Sequence, residues 1–356
     1  MKPDFKLLKQ VLNLPTAPFH EHHVARFVLH FCKSLGLSCK QDSFGNLKVI
    51  YRHGASKPVA FTAHMDHPGF EVLKGGKKSL VQLLGGVPDN YFLKSKVVLC
   101  DNKGFAKGKV IQVADKKRRQ FWVQVDRSVE KKGFGYFNLP GFKLRKGLIK
   151  TKAADNVMSV GVLLNFLKEL KRKKIKAHVI CIFTRAEEVG FVGASGLVKN
   201  NFLSKKIPAV VLETSSAKAG GVAIGGGPVL RVGDRFSTFA PEMDVWLKTA
   251  ADSLQSKDKS FRYQRALLPG GRCEASLYVA EGYRVGGLAF PLGNYHNKGP
   301  KNYAAEFISA KDYQDMLKWL IALAQASLPS KLSKKLYKGI DKIFRRYSSR
   351  LEKISG

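Results

Sequence analysis

Residues 58–66 read PVAFTAHMD, and this segment restricts the fold more than any other. Apart from Thr62, its run is apolar up to the charged and polar residues at its carboxyl end. Such a run fits a strand covered on both faces, as in sheets packed between helices. Similar runs recur at 177–184 (AHVICIFT), 208–213 (PAVVLE) and 284–290 (RVGGLAF). Helical spacing is found at 155–171, near 192–200 and at 311–326, and a glycine-rich stretch covers 219–227. Upstream, residues 4–36 carry apolar positions at helical spacing, interrupted by LPTAPFHE and closed by Gly36, before a strand at 47–51. The alternation predicts an α/β fold with a mixed central sheet flanked by helices.

Between 70 and 149 the texture changes to short apolar runs such as VVLC, KVIQV and QFWVQV, separated by Gly, Asn, Asp and Lys clusters. That is the signature of a small all-β unit inserted into the α/β frame. With 356 residues and 44 % apolar content, the chain has enough material for one large domain with an insertion, or for two domains.

The five cysteines are scattered, odd in number and without CxxC spacing, which excludes a disulfide framework and a thiolate zinc knuckle. They read as reduced and mostly packed. Neither a signal-peptide core nor a run of about 18 apolar residues is present, so a soluble, cytoplasmic protein is expected. The 62 basic residues against 27 acidic ones leave a net charge of +35, spread widely: residues 71–150 alone hold 19 Lys/Arg against 6 Asp/Glu. A field of that sign attracts anionic partners, although a generally lysine-rich surface is the simpler explanation.

The tail 331–356 stands apart. Leu332, Leu336, Ile340, Ile343, Phe344, Tyr347, Leu351 and Ile354 recur at three- and four-residue steps, and nine basic residues face two acids. This is a basic amphipathic helix. It packs on its own body or on a neighbouring subunit, or it contacts an anionic surface, membrane or nucleic acid.

Four strand ends finish in residues able to bind metal. His64 and Asp66 follow the first, Glu187 and Glu188 the second, Glu213 the third, and His296 comes shortly after the fourth. Asp155 begins the helix after the insert. Singly each has an ordinary structural explanation, such as an acidic pair at a helix start. Together they match the need of two divalent ions about 3.5–4 Å apart for roughly five imidazole and carboxylate groups, one of them bridging. His64, Asp155, Glu188, Glu213 and His296 supply that set, which leaves Glu187 free as general base. Asp66, two residues beyond His64 on a strand, lies on the same side and can accept the other imidazole N–H. His67, His20, His22 and His23 read as turn residues. Arg272 and Glu274, in the glycine-flanked GGRCEAS, either line a substrate pocket or form a plain turn.

The segments QDSFGNL, AHMDHPGF, VPDNYFLKSKVVL, KAADNVMSVGVLL, TRAEEVGFVGASGL, VVLETSSA, IGGGPVLR, GGRCEASL and NYHN occur in this order. Together they resemble the tetrahedral aminopeptidase family of co-catalytic metallopeptidases, which includes glutamyl and deblocking aminopeptidases. The similarity covers about residues 5–325, and EEVGFVGA and AHMD are its most specific parts. The resemblance implies a zinc-peptidase-like catalytic domain in two parts, 1–69 and 150–330, with a small β-barrel inserted at 70–149 for subunit contacts and substrate access. It also implies an enzyme that releases N-terminal residues from short peptides, and a homo-oligomer. By similarity His64 and Glu213 hold one metal, Glu188 and His296 the other, Asp155 bridges them, and Glu187 activates the shared water. Zinc is the first expectation for both ions, with cobalt or manganese as alternatives.

The chain departs from the pattern in places. His67 and Pro68 follow the first His-x-Asp where the family has acidic and small apolar residues. Asn156 takes the place of a second acid after Asp155, and Glu213 that of the Asp typical of aminopeptidases. Two other readings therefore accompany the aminopeptidase: a related two-metal carboxypeptidase or N-acyl-amino-acid deacylase, and a non-catalytic basic binding protein on the same fold.

Overall fold

The computed structural model describes residues 3–55, 57–328 and 338–351. An eight-stranded mixed sheet forms its centre. In spatial order its strands are Ser38–Gln41, Leu47–His53, Ala177–Thr184, Val59–His64, Ala209–Ser216, Val285–Leu292, Val229–Arg231 and Gln264–Ala266. The four central strands run parallel. Thr184 is in register with His64, and Glu213 with Ala289, so the carboxyl ends of these strands gather on one edge of the sheet. Val59–His64 and Val285–Leu292 are buried at every position, which explains why their sequences are almost wholly apolar, with Thr62 and His64 the polar exceptions.

One face of the sheet is covered by Phe5–Asn13, His22–Ser34, Val157–Lys173, Pro241–Lys257 and Ala310–Gln325, which share a single apolar core with it. The helix Val157–Lys173 is buried almost all round through Phe166, as suits an inner helix. The other face is covered by Val192–Lys199 and Glu274–Ala280 around Leu197, Leu203, Ala275 and Tyr278.

The inserted segment forms a closed six-stranded barrel. Gly69–Lys74, Gly76–Leu84, Gln120–Val129, Gly104–Asp115, Lys96–Asp101 and Phe134–Phe137 follow one another around it, and the last pairs back to the first. Phe70, Phe92, Phe121 and Phe137 fill it, with the rings of Phe92 and Phe121 edge to face at 4.6 Å. Strand Leu148–Thr151 lies outside the barrel, between Lys143–Arg145 and Glu306–Ser309 in a separate small sheet, and pairs with both.

Several elements differ from the sequence expectation. The strand expected to end at 213 continues to Ser216, because Thr214, Ser215 and Ser216 pair with Phe290, Pro291 and Leu292 despite their polar side chains. The helix Pro241–Lys257 occupies a stretch for which no element was expected. Among the described residues no helix is long and apolar enough to cross a membrane. The cysteines are unpaired, four of them buried and Cys39 half-buried.

Candidate metal centre

The parallel strands bring His64, Glu187, Glu188, Glu213 and His296 to one edge of the sheet, and Asp155 enters from the start of the inner helix. Three overlapping groups form there, with ligand atoms within 4.8 Å of one another: His64, Asp155 and Glu213; His64, Glu187 and Glu188; Asp155, Glu188 and His296. The Asp155 carboxylate is shared between two sides. Its Oδ1 lies 3.5 Å from His64 Nε2, and its Oδ2 lies 3.4 Å from His296 Nε2. Glu213 Oε2 approaches His64 Nε2 at 3.6 Å, and Glu188 Oε2 approaches His296 Nε2 at 3.4 Å. Glu187 Oε2 is 3.8 Å from His64 Nε2.

Each imidazole is backed by an oxygen on its far side. His64 Nδ1 lies 3.3 Å from Asp66 Oδ1, and His296 Nδ1 is 3.1 Å from the carbonyl of Gly86. Such partners turn both Nε2 atoms toward the centre. Gly86 belongs to the turn after the barrel strand Gly76–Leu84, so the insert itself orients one histidine. A Cβ at Gly86 would stand 2.8 Å from His296 Nδ1, which explains why glycine is needed at this close approach.

The loops are held as firmly as the side chains. Asp66 accepts the backbone N–H of Glu187 at 3.0 Å and of Glu188 at 3.1 Å. Buried Glu21 accepts the N–H of Ala186 at 2.9 Å and pairs with Arg185 at 2.7 Å, which fixes the start of the same loop. Buried Glu306 accepts the N–H groups of Ala154, Asp155 and His296, tying two ligand-bearing loops together. His67 is a correction to the sequence reading: it is buried and donates from Nδ1 to the carbonyl of Asp155, with Nε2 2.9 Å from the Asn297 side-chain amide. Burial holds its pKa down at about 4, opposed by the Asn297 Oδ1 and Asp155 carbonyl oxygens that face its ring.

Carboxylates crowd the centre. Burial pushes the Glu187 carboxyl well above the ordinary range, opposed by His64 and reinforced by Glu213, Glu188 and Asp66. Burial also raises Glu188 and Glu213. Both His64 and His296 are raised well above the ordinary value, because the surrounding carboxylates outweigh burial. Asp155 Oδ1, Glu188 Oε1 and Glu213 Oε1 are buried without a hydrogen-bond partner. Converging anionic oxygens of this kind are costly unless cations neutralise them, and the imidazole and carboxylate donor set fits divalent metal.

The centre opens into a cavity of about 440 Å³ whose far wall includes Phe191, Arg231, Leu268, Arg272 and Tyr295. The Arg272 guanidinium lies over the Phe191 ring at 5.5 Å and the Phe236 ring at 5.4 Å. Glu274 is fully buried at the start of its helix and is not among the cavity-lining residues. His20 stacks on Phe134 at 4.9 Å, while His22 and His23, expected in a turn, instead open the helix His22–Ser34 and contact the same ring. Glu306, Glu21 and Gly86 were not singled out by sequence reasoning. Only Gly86 carried any signal, as part of a glycine pair before VPDN.

A family model described as M42 glutamyl aminopeptidase matches residues 45–318. A curated protein of Acetivibrio thermocellus, whose name assigns it provisionally to the aminopeptidases, is 24 % identical over 334 residues, covering 89 % of this chain and 97 % of its own. Among solved structures, a TET aminopeptidase from a marine-sediment thaumarchaeon superposes with a TM-score of 0.78 at 18 % identity, covering 94 % of this chain and 99 % of its own. The Pyrococcus horikoshii TET1 peptidase, described as assembling into a tetrahedron or a large octahedral shell, gives 0.74 at 21 % identity over 90 % and 98 %. These structural likenesses bear on the fold.

Proposed function

The chain belongs to the M42 glutamyl aminopeptidase family and is a metal-dependent aminopeptidase; from that premise we propose that its centre is dinuclear and holds two zinc ions. His64 and Glu213 would hold one ion and Glu188 and His296 the other, with Asp155 between them as the shared ligand. The observation that carries this reading is the division of the Asp155 carboxylate, with Oδ1 toward His64 and Oδ2 toward His296. Cobalt or manganese suits the same donors.

Bound there, the ions supply Lewis acidity and lower the pKa of water. Glu187 is the general base. Its carboxylate sits beside the ligands, 3.8 Å from His64 Nε2, placed to take a proton from the attacking water and pass it to the leaving amine. Asp66 holds His64, and also the backbone that carries Glu187 and Glu188, so base and ligands keep a fixed relation. Arg272, held between two rings on the cavity wall, contacts the peptide beyond its first residue.

The substrate is a short peptide with a free α-amine. The protein works as a cytoplasmic homo-oligomer, with the barrel at subunit contacts; the shells described for the Pyrococcus horikoshii relative support assembly, and the unpaired cysteines support a reducing compartment. The test is digestion of matched free and N-acetylated peptides by the zinc-loaded protein. Sequential release of N-terminal residues from the free peptides alone is expected. Release from the C-terminus, or cleavage of the acetyl group, would assign the centre to a carboxypeptidase or deacylase, and no release at all would leave a binding protein.

A further inference from the structure

Beyond the peptidase centre, and independent of it, lies the helix Lys338–Tyr347, outside the residues that match the family. Ile340, Ile343, Phe344 and Tyr347 sit at steps of three and four, which places them on one side of a helix turning about 100° per residue. Asp341, Lys342, Arg345 and Arg346 project from the other side. Both sides are exposed. The four apolar residues, with Leu351 just past the helix, are between 43 % and 76 % exposed, so the apolar side is not packed on the body.

We propose that this helix docks the protein on an anionic membrane surface, with Ile340, Ile343, Phe344 and Tyr347 entering the headgroup boundary and Lys342, Arg345, Arg346 and Arg350 against lipid phosphates and carboxylates. Charge complementarity selects this occupant. A second copy of the chain carries the same net charge of +35, so a contact through this helix would set its basic side against a basic surface, and the assembly proposed above rests on the barrel instead. Nucleic acid offers the opposite charge and bases on which Phe344 and Tyr347 could stack, but its phosphate backbone leaves Ile340, Ile343 and Leu351 with nothing apolar to bury against. An anionic bilayer interface satisfies both sides of the helix at once, and the two contributions reinforce each other.

The full-length protein is mixed with vesicles of phosphatidylcholine, alone or with a quarter phosphatidylserine, and bound protein is measured by sedimentation at low and high salt. Binding to the anionic vesicles, weakened by salt, is expected. Ile343→Asp combined with Phe344→Asp, and separately Lys342→Gln with Arg345→Gln and Arg346→Gln, should each lower that partition by about ten-fold or more. All these positions are exposed, so the variants keep the fold, and unchanged peptide hydrolysis confirms it. Vesicle binding that survives the apolar double substitution would overturn the proposal and leave only the general surface charge. Binding of single-stranded DNA without vesicle binding, lost only in the charge variant, would make nucleic acid the occupant. A smaller assembly in the apolar variant, with no vesicle binding in the wild type, would make the occupant a second copy.

Discussion

Glu187 and Glu188 are neighbours on the chain, yet they face different histidines: Glu187 approaches His64, while Glu188 lies 3.4 Å from His296. The division follows from the loop, whose backbone is fixed by Asp66 on one side and Glu21 on the other. Glu187→Gln keeps the shape and every proposed ligand while removing the base, so turnover should fall by about two to four orders of magnitude with metal content unchanged. Wild-type turnover in that variant would remove Glu187 from the chemistry. At this scale the convergence of His64, Asp155, Glu187, Glu188, Glu213 and His296 was legible in the sequence, because the metal and proton chemistry proposed for them needs particular side chains and most stand at strand ends. Gly86, Glu306 and His67 were not. Gly86 acts through its own carbonyl, His67 on the carbonyl of Asp155 and Glu306 on backbone N–H groups, and backbone partners leave no mark in the sequence.

At the scale of elements, apolar runs disclosed the buried strands, whereas the polar end of Ala209–Ser216 concealed three paired residues. The helix Pro241–Lys257 did carry a signal: Pro241 in the first turn and buried Met243, Trp246, Leu247, Ala250 and Ala251 at helical spacing. The extra register needed to join Leu148–Thr151 to Glu306–Ser309 is non-local, and no pattern within either segment specifies it. Between that strand and the inner helix lies Lys152, buried, donating to the carbonyl of Leu12 at 2.7 Å and lying 5.2 Å over the Tyr136 ring. Burial pushes its pKa down from 10.5 to about 7. A lysine with a depressed native pKa destabilises the fold fully below that pKa, and the penalty is relieved as pH rises toward the unfolded value. Lys152→Met should therefore be more stable than wild type at pH 6, by roughly 2–4 kcal/mol, and the advantage should shrink steadily from pH 7 to 10. Urea unfolding at several pH values measures this, and a difference independent of pH would show that Lys152 is not titrating in the folded protein.

For the whole molecule, the α/β frame with an inserted barrel followed from the change in sequence texture near residue 70, while closure of the barrel depended on pairing between Gly69–Lys74 and Phe134–Phe137 at its two ends. The insert and the frame meet at the centre, where the Gly86 carbonyl backs His296. The net charge of +35 says nothing about the peptidase centre, whose own surroundings are dominated by carboxylates. Those carboxylates are the reason for expecting two cations, and counting them is the most direct test. Protein stripped with a chelator and titrated with zinc should regain peptide hydrolysis in proportion to bound metal, reach full activity at two ions per chain, and lose both sites together in Asp155→Ala. Full activity at one ion per chain, or two occupied sites in Asp155→Ala, would contradict a dinuclear centre bridged by Asp155.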